Sequence, residues 1–119
     1  MADKKTRSET PGALAPAESA ALTATVEVAP GAIVSRTLAR SAGGNVTVFA
    51  FDRGQELAEH SAPFDAMVHL LEGELVVAIG GVDHQLAPGE VIIMPADVPH
   101  GVRAPEQAKW MLVMLKDES

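Results

Sequence analysis

The chain has 119 residues, which is enough for one domain with a single hydrophobic core. Its 16 acidic and 9 basic residues give a net charge of −7, which argues against a nucleic-acid partner and against an anionic membrane surface. It contains no cysteine, which excludes disulfides, thiolate metal ligands and a cysteine nucleophile, so we expect a cytoplasmic protein.

The first 24 residues differ in composition from the rest of the chain. They are rich in Ala, Ser, Thr, Glu and Pro and show no sustained apolar period, so we expect a flexible N-terminal arm. Residues 13–24 could form a weak helix on alanine propensity, or an element that docks on a partner subunit. The charged N-terminus lacks the apolar segment of a secretory signal, and no apolar run approaches the ~20 residues of a membrane-spanning helix.

From residue 25 to residue 119, short apolar runs alternate with turn signals at intervals of about 7–12 residues, which predicts a single all-β sandwich or barrel. Residues 46–51 are β-branched and aromatic. Residues 67–71 and 75–79 are predicted to pair as a tight hairpin through Glu72-Gly73-Glu74, and Gly80-Gly81 predicts a second tight turn. Residues 91–94 and 110–115 are apolar on both faces of a strand, so the face that points away from the barrel needs a cover. A homodimer is the expected solution.

The spacing of certain glycines, a proline and two histidines resembles the two motifs of the cupin superfamily, in particular its small single-domain conserved-barrel members of the cupin 2 type. The matching residues of the first motif are Gly54, His60 and Gly73, and those of the second are Gly89, Pro95 and His100. The resemblance covers residues 31–115. It implies a jelly-roll barrel, the double-stranded β-helix, and members of this family act as metal-dependent enzymes, metal-free enzymes or binding modules.

The family's metal site implies His60 and His100 as ligands of a divalent transition metal such as Fe, Mn, Ni or Zn. The slots of the second histidine and of the glutamate fall on Ala62 and Ala66, which have no donor atoms. Two protein ligands would leave an ion mostly held by water and therefore weakly bound. Asp65, beside the glutamate slot, is a possible substitute ligand or a general base next to His60, although a turn-forming or N–H-accepting aspartate is the more ordinary interpretation.

Three further polar residues have structural interpretations. Strand alternation predicts that His69 points away from the barrel interior, because Ala66, Val68 and Leu70 would share the inner face. His84 is expected to be a partly buried core histidine. Asp97, in a glycine slot of the second motif, is expected to shape a turn and could also hydrogen-bond an imidazole.

The motif strands also supply a possible apolar pocket wall, with His60 and His100 at its rim. The predicted lining residues are Phe49, Phe51, Phe64, Val68, Leu70 and Met94. Three functions follow from the sequence. The favoured hypothesis is a weakly metal-binding protein that binds or acts on a small molecule, as a dioxygenase, isomerase or lyase if it is an enzyme. The alternatives are a metal-free binding or sensing module, and a metal-free acid–base enzyme that uses His60 or His100, helped by Asp65.

Overall fold

Two antiparallel sheets pack face to face and enclose the core of a jelly-roll barrel. The structure, a computed structural model, describes residues 11–116. Over this range one short 3₁₀ turn, Leu22–Ala24, precedes nine strands: β1 Ile33–Ser41, β2 Gly44–Phe51, β3 Glu56–His60, β4 Asp65–Gly73, β5 Leu75–Ile79, β6 Val82–Leu86, β7 Val91–Met94, β8 His100–Arg103 and β9 Ala108–Leu115. The all-β prediction and the predicted jelly-roll fold are confirmed.

The strands divide into a five-stranded sheet, in the order β1-β2-β9-β4-β7, and a four-stranded sheet, in the order β3-β8-β5-β6. Alternate side chains of each strand enter the space between the sheets, as the two-residue period of a strand requires. In β9, for example, Trp110 and Leu112 are buried inside while Leu115 is exposed outside. No helix in the described range is long and apolar enough to cross a membrane.

The predicted hairpin between residues 67–71 and 75–79 is wrong, because these strands belong to different sheets. Strand β4 pairs with β7 and β9, whereas β5 pairs with β6 and β8. Gly73, at a φ of 91°, brings the backbone so close to the Gln107 carbonyl oxygen that a Cβ would collide with it, and the chain turns there into the second sheet. A glycine between two apolar runs therefore indicated that the chain changes direction, but not whether it forms a hairpin within one sheet or crosses to the other sheet.

The second predicted turn is a true hairpin. Ile79 of β5 pairs with Val82 of β6 across Gly80 and Gly81, whose φ angles are 56° and 83°. Two consecutive positive φ angles suit the two-residue turns that match the twist of a hairpin, and glycine adopts them without steric penalty.

Residues 11–28 lie along the outer face of the five-stranded sheet. We call the apolar contacts there the outer cluster: its buried members are Val26, Leu38, Val48 and Ala50, and Leu14, Leu22, Val28, Val34, Val46, Leu71 and Met111 pack around them. The Leu14 N–H donates to the Leu38 carbonyl, and the Lys109 ammonium donates to the Thr23 carbonyl. This placement differs from the flexible arm expected over residues 11–24, because their apolar side chains, although irregularly spaced, pack on the outer face of the sheet. Residues 1–10 of the expected arm lie outside the described range.

The other half of the same outer face is not covered by residues 11–28. There the side chains of β7, β4 and β9 form adjacent rows, in which Ile93 pairs with Met67 and Met67 pairs with Val113. Val91, Ile93 and Leu115 are 54%, 46% and 52% exposed. His69, between Val91 and Met111, also faces outward, as strand alternation predicts.

Candidate functional site

A partly enclosed cavity of about 280 Å³ lies between the two sheets, at the end of the barrel where β3 and β8 meet. Both sheets contribute to its walls. The lining is almost entirely apolar and consists of Phe49, Leu57, His60, Ala62, Phe64, Ala66, Met94, His100, Val102, Trp110, Leu112 and Met114. His60 and His100 are the titratable residues of this lining.

The two histidines are neighbours because their strands pair. His60 ends β3, His100 begins β8, and the two residues are directly opposite each other in the antiparallel register. Their ring centroids are 4.5 Å apart and the ring planes are inclined by 72°. The structure therefore brings together two side chains that are distant in the sequence. His100 is buried, whereas His60 is exposed at the mouth of the cavity.

Each imidazole is held by a hydrogen bond to the backbone two residues earlier in the chain. His60 Nδ1 lies 3.0 Å from the Ala58 carbonyl oxygen, and His100 Nδ1 lies 3.1 Å from that of Val98. A carbonyl oxygen can only accept a hydrogen bond, so each Nδ1 carries the proton. In the neutral ring, Nε2 then holds the lone pair that accepts a hydrogen bond or binds a metal ion.

Burial lowers the pKa of His100 below its usual value near 6.5, because the charged imidazolium loses hydration inside the barrel. The hydrogen bond to the Val98 carbonyl opposes this shift, and the neighbouring His60 adds to it. His100 is consequently neutral at physiological pH, and its Nε2 is available as an acceptor or a ligand.

Aromatic side chains form the wall opposite the histidines. Phe49 stacks on Trp110 with ring centroids 4.5 Å apart, a contact set by the direct pairing of these residues between β2 and β9. Phe51 meets the other side of this group edge to face, with its centroid 5.4 Å from that of Trp110. Offset-stacked and edge-to-face pairs of this kind contribute about 0.5–1.5 kcal/mol each beyond the burial of their surface.

The model of the cupin domain family matches residues 47–114, which include the strands and loops that build the cavity. The chain belongs to the cupin family. Its residues are 37% identical to those of a conserved protein of unknown function from Streptococcus pyogenes, with a TM-score of 0.83 over 89% of this chain and 93% of that one. No curated protein matches this cupin.

Two further solved structures are similar. A cupin 2 conserved barrel domain protein from Leptotrichia buccalis is 34% identical, with a TM-score of 0.77 over 80% of this chain and 46% of that one. A cupin superfamily protein from Desulfitobacterium hafniense is 24% identical, with a TM-score of 0.81 over 87% of this chain and 95% of that one, and it supports the fold alone.

The donor set of this cupin does not fit a resident transition metal. Among residues 11–116, no three His, Cys, Asp or Glu side chains come together as a possible metal site. Ala62 and Ala66, in the slots of the family's other ligands, both line the cavity and put methyl groups where donor atoms would be needed. His60 and His100 alone offer two ligands, whereas stable transition-metal sites use three or four.

Half of the predicted pocket residues line the cavity. Phe49, Phe64 and Met94 do so, whereas Phe51, Val68 and Leu70 are fully buried in the core and do not line the cavity. The inner side chains of one strand share a face, but they sit at different depths along the barrel. Alternation identified the face and could not identify which residues are near the open end.

Five further lining residues were not assigned to the pocket from the sequence: Leu57, Val102, Trp110, Leu112 and Met114. Leu57 and Val102 flank the two histidines on β3 and β8, so strand alternation around His100 would have indicated Val102. Trp110, Leu112 and Met114 share one face of β9, but their place beside Phe49 depends on the pairing of β2 with β9. That pairing joins distant parts of the chain and leaves no local signal.

The other candidate residues have structural roles. Asp65 does not line the cavity: its carboxylate accepts a hydrogen bond of 2.8 Å from the Ala96 N–H, which agrees with the interpretation of Asp65 as an N–H acceptor. Asp97 adopts a φ of 64°, in the left-handed region that suits a glycine slot and that aspartate enters more readily than most other residues, and its N–H donates to the Ala62 carbonyl. His84 is half-buried on β6, opposite Val77.

Proposed function

We propose that this cupin is a binding module for a small, mainly apolar molecule, which it holds in the barrel cavity without a resident metal ion. The observation that carries the proposal is the lining itself: Ala62 and Ala66 extend the apolar surface of the cavity across the two ligand slots. Binding sites for small molecules are typically apolar and contain a few polar groups that orient the ligand. His60 and His100 would be those groups.

The cavity volume limits the size of the ligand. An apolar cavity of about 150 Å³ accommodates benzene, so about 280 Å³ corresponds to a molecule of roughly ten non-hydrogen atoms. The neutral Nε2 of His100, at the buried edge of the cavity, would accept a hydrogen bond from a ligand hydroxyl or amine. His60, at the mouth, would contact the end of the ligand nearest to solvent.

A pair of leucine substitutions tests the proposal. Ala66→Leu adds three carbon atoms to a side chain that is 5% exposed and faces the cavity, so it should reduce ligand affinity strongly. Ala39→Leu adds the same atoms at an exposed position of β1 that does not line the cavity, and it serves as the matched control. Ligands of the stated size would be found by a thermal-shift screen, and their dissociation constants would be measured by calorimetry.

The expected result is that a ligand at ten times its dissociation constant stabilises the parent and Ala39→Leu by about 1.4 kcal/mol, equivalent to several degrees in Tm. Ala66→Leu should show little of this stabilisation. If Ala66→Leu binds the same molecules as tightly as the control, they bind elsewhere and the cavity is not the site.

A second candidate function is weak binding of a divalent transition metal by His60 and His100. It is favoured by the hydrogen bonds to the Ala58 and Val98 carbonyls, which orient both rings and leave each Nε2 with a free lone pair. A metal held in this way would keep most of its coordinated water, because the surrounding alanines supply no further ligand.

A further inference from the structure

His100 presents one unpaired nitrogen to the cavity. The residue is 3% exposed, and its Nδ1 proton is donated to the Val98 carbonyl oxygen. Its Nε2 makes no hydrogen bond to any of residues 11–116. Nevertheless, Nε2 is not among the side-chain atoms that are both unpaired and shielded from solvent, which are Asn45 Oδ1 and Trp110 Nε1. Nε2 therefore keeps accessible surface, and the cavity that His100 lines is the space it meets.

The side chains around this nitrogen provide no donor for it. Apart from the two histidines, the described lining consists of alanine, leucine, valine, methionine and aromatic side chains. His60 also turns its Nδ1 proton away, to the Ala58 carbonyl, so its neutral ring offers a second acceptor. The N–H of Trp110 has no accessible surface and cannot meet a ligand. The accessible side-chain nitrogens of the described lining are thus acceptors, and a bound molecule has to bring the donor.

We propose that the ligand of this cavity is a neutral hydroxyl compound that donates its O–H to Nε2 of His100. The inference rests on the proposed small-molecule function and narrows the class of ligand. A buried acceptor without a partner is unfavourable, and a ligand hydroxyl removes this loss. An apolar body that brings the whole molecule to roughly ten non-hydrogen atoms fills the rest of the cavity.

Three related classes of molecule fit this lining less well. A ketone or an ether has an acceptor but no donor. A carboxylate also lacks a donor, and it would bring a negative charge to apolar surroundings in a protein with a net charge of −7. An alkylamine has donors, but its pKa of about 10 makes it an ammonium ion at neutral pH. No carboxylate in the described lining would compensate the lost hydration of that charge.

A matched set of probes is 2-phenylethanol, benzyl methyl ether and 2-phenylethylamine. The three molecules share the same chain of non-hydrogen atoms and differ in donor and charge. Calorimetry with the full chain at pH 8, where a free imidazole is neutral, should show 2-phenylethanol binding about tenfold more tightly than the ether. The amine should bind more weakly than the alcohol. In protein labelled with ¹⁵N, the alcohol should move the Nε2 resonance of His100 upfield, and the ether should leave it nearly unchanged.

Two variants show whether Nε2 of His100 causes the preference. His100→Phe removes the acceptor but keeps a planar ring, so the tenfold preference for the alcohol should fall to nearly none. His60→Phe is the matched control, because it makes the same change on the neighbouring ring and keeps Nε2 of His100. It should retain the preference even where both affinities change. If His100→Phe does not fold, the Nε2 resonance of the parent protein still decides.

The outcomes separate this inference from the function on which it rests. If no probe binds and no other molecule of this size does, the small-molecule function fails and the hydroxyl inference fails with it. If the alcohol and the ether bind equally and Ala66→Leu weakens both, the function stands and the inference is overturned. A preference that His100→Phe leaves unchanged, or that His60→Phe abolishes, also overturns it. So does an amine that binds more tightly than the alcohol.

Discussion

Val26 gives the most direct test of whether the N-terminal segment is part of the folded barrel. Its side chain is 4% exposed and packs in the outer cluster against Val48 and Ala50 of β2. Val26→Ala removes two methyl groups from this contact. At about 0.8 kcal/mol for each buried carbon, the lost transfer free energy is about 1.6 kcal/mol, and incomplete collapse of the space left behind raises the expected loss to about 2 kcal/mol.

The free energy of unfolding would be measured by urea denaturation of the full chain. The dependence of this free energy on urea concentration, the m-value, should be the same in the parent protein and the variants. Val82→Ala is the matched control, because it makes the same substitution on β6 at a side chain that is 57% exposed. The control should change the free energy of unfolding by less than about 0.5 kcal/mol. The comparison removes the general effect of exchanging valine for alanine.

A loss at Val26 no larger than that at Val82 would refute the docked arrangement. It would mean that residues 11–28 do not pack on the sheet in solution; for residues 11–24 this is the flexible arm that the composition predicts. The uncovered sheet face would then be larger than the structure shows, and the need for a partner subunit would increase.

Three other predictions follow from the site and from the outer face. Ala62→His with Ala66→Glu should raise the affinity for Zn²⁺ by more than about tenfold in calorimetry, since even partners that only orient metal ligands contribute that much; an unchanged affinity would show that these positions do not converge with the histidines. Because the pKa of His100 is lower in the folded protein than its unfolded value near 6.5, the unfolded state binds more protons below that pH, and stability should fall as the pH drops through this range. His100→Asn should remove this part of the pH dependence, measured by urea denaturation at pH 7.5 and pH 5. An equal loss of the free energy of unfolding between these pH values in the variant and in the parent protein would count against this prediction. We also propose a homodimer through the uncovered face, which light scattering should detect at micromolar concentration and which Ile93→Asp should dissociate; a monomeric parent protein would rule it out.

The sequence predicts those parts of the fold that depend on local pattern. Strand alternation placed Trp110 and Leu112 on one face of β9 and His69 on the outer face of β4, and the glycine pair predicted the turn from β5 to β6. The direction of the chain after Gly73 was not predictable in this way, because a hairpin and a corner between sheets begin with the same residues. The docking of Val26 depends on contacts with strands far along the chain, which no local period reveals.

For the candidate site too, the sequence predicted which residues come together but not which side chains line the cavity. Motif spacing was enough to predict that His60 and His100 converge, and their rings lie 4.5 Å apart between centroids. It could not indicate which inner side chains reach the cavity, because Phe49 and Phe51 share a face of β2 yet only Phe49 lines it. Depth along the barrel depends on how the two sheets are offset, which is a property of the assembled fold.

In the proposed function, the two histidines orient the ligand without the family's other metal ligands. Each ring turns its Nδ1 proton to a backbone carbonyl of its own strand or loop, so each neutral ring presents Nε2 as a hydrogen-bond acceptor when no metal ion occupies it. Ala62 and Ala66 keep the cavity beside the two rings apolar. A molecule with a hydroxyl or amine at one end would donate to Nε2 of the buried His100 and place its apolar part against the alanines. A hydrocarbon of the same volume would leave Nε2 of the buried His100 unpaired and would bind more weakly, because a buried polar group without a partner is a free-energy loss.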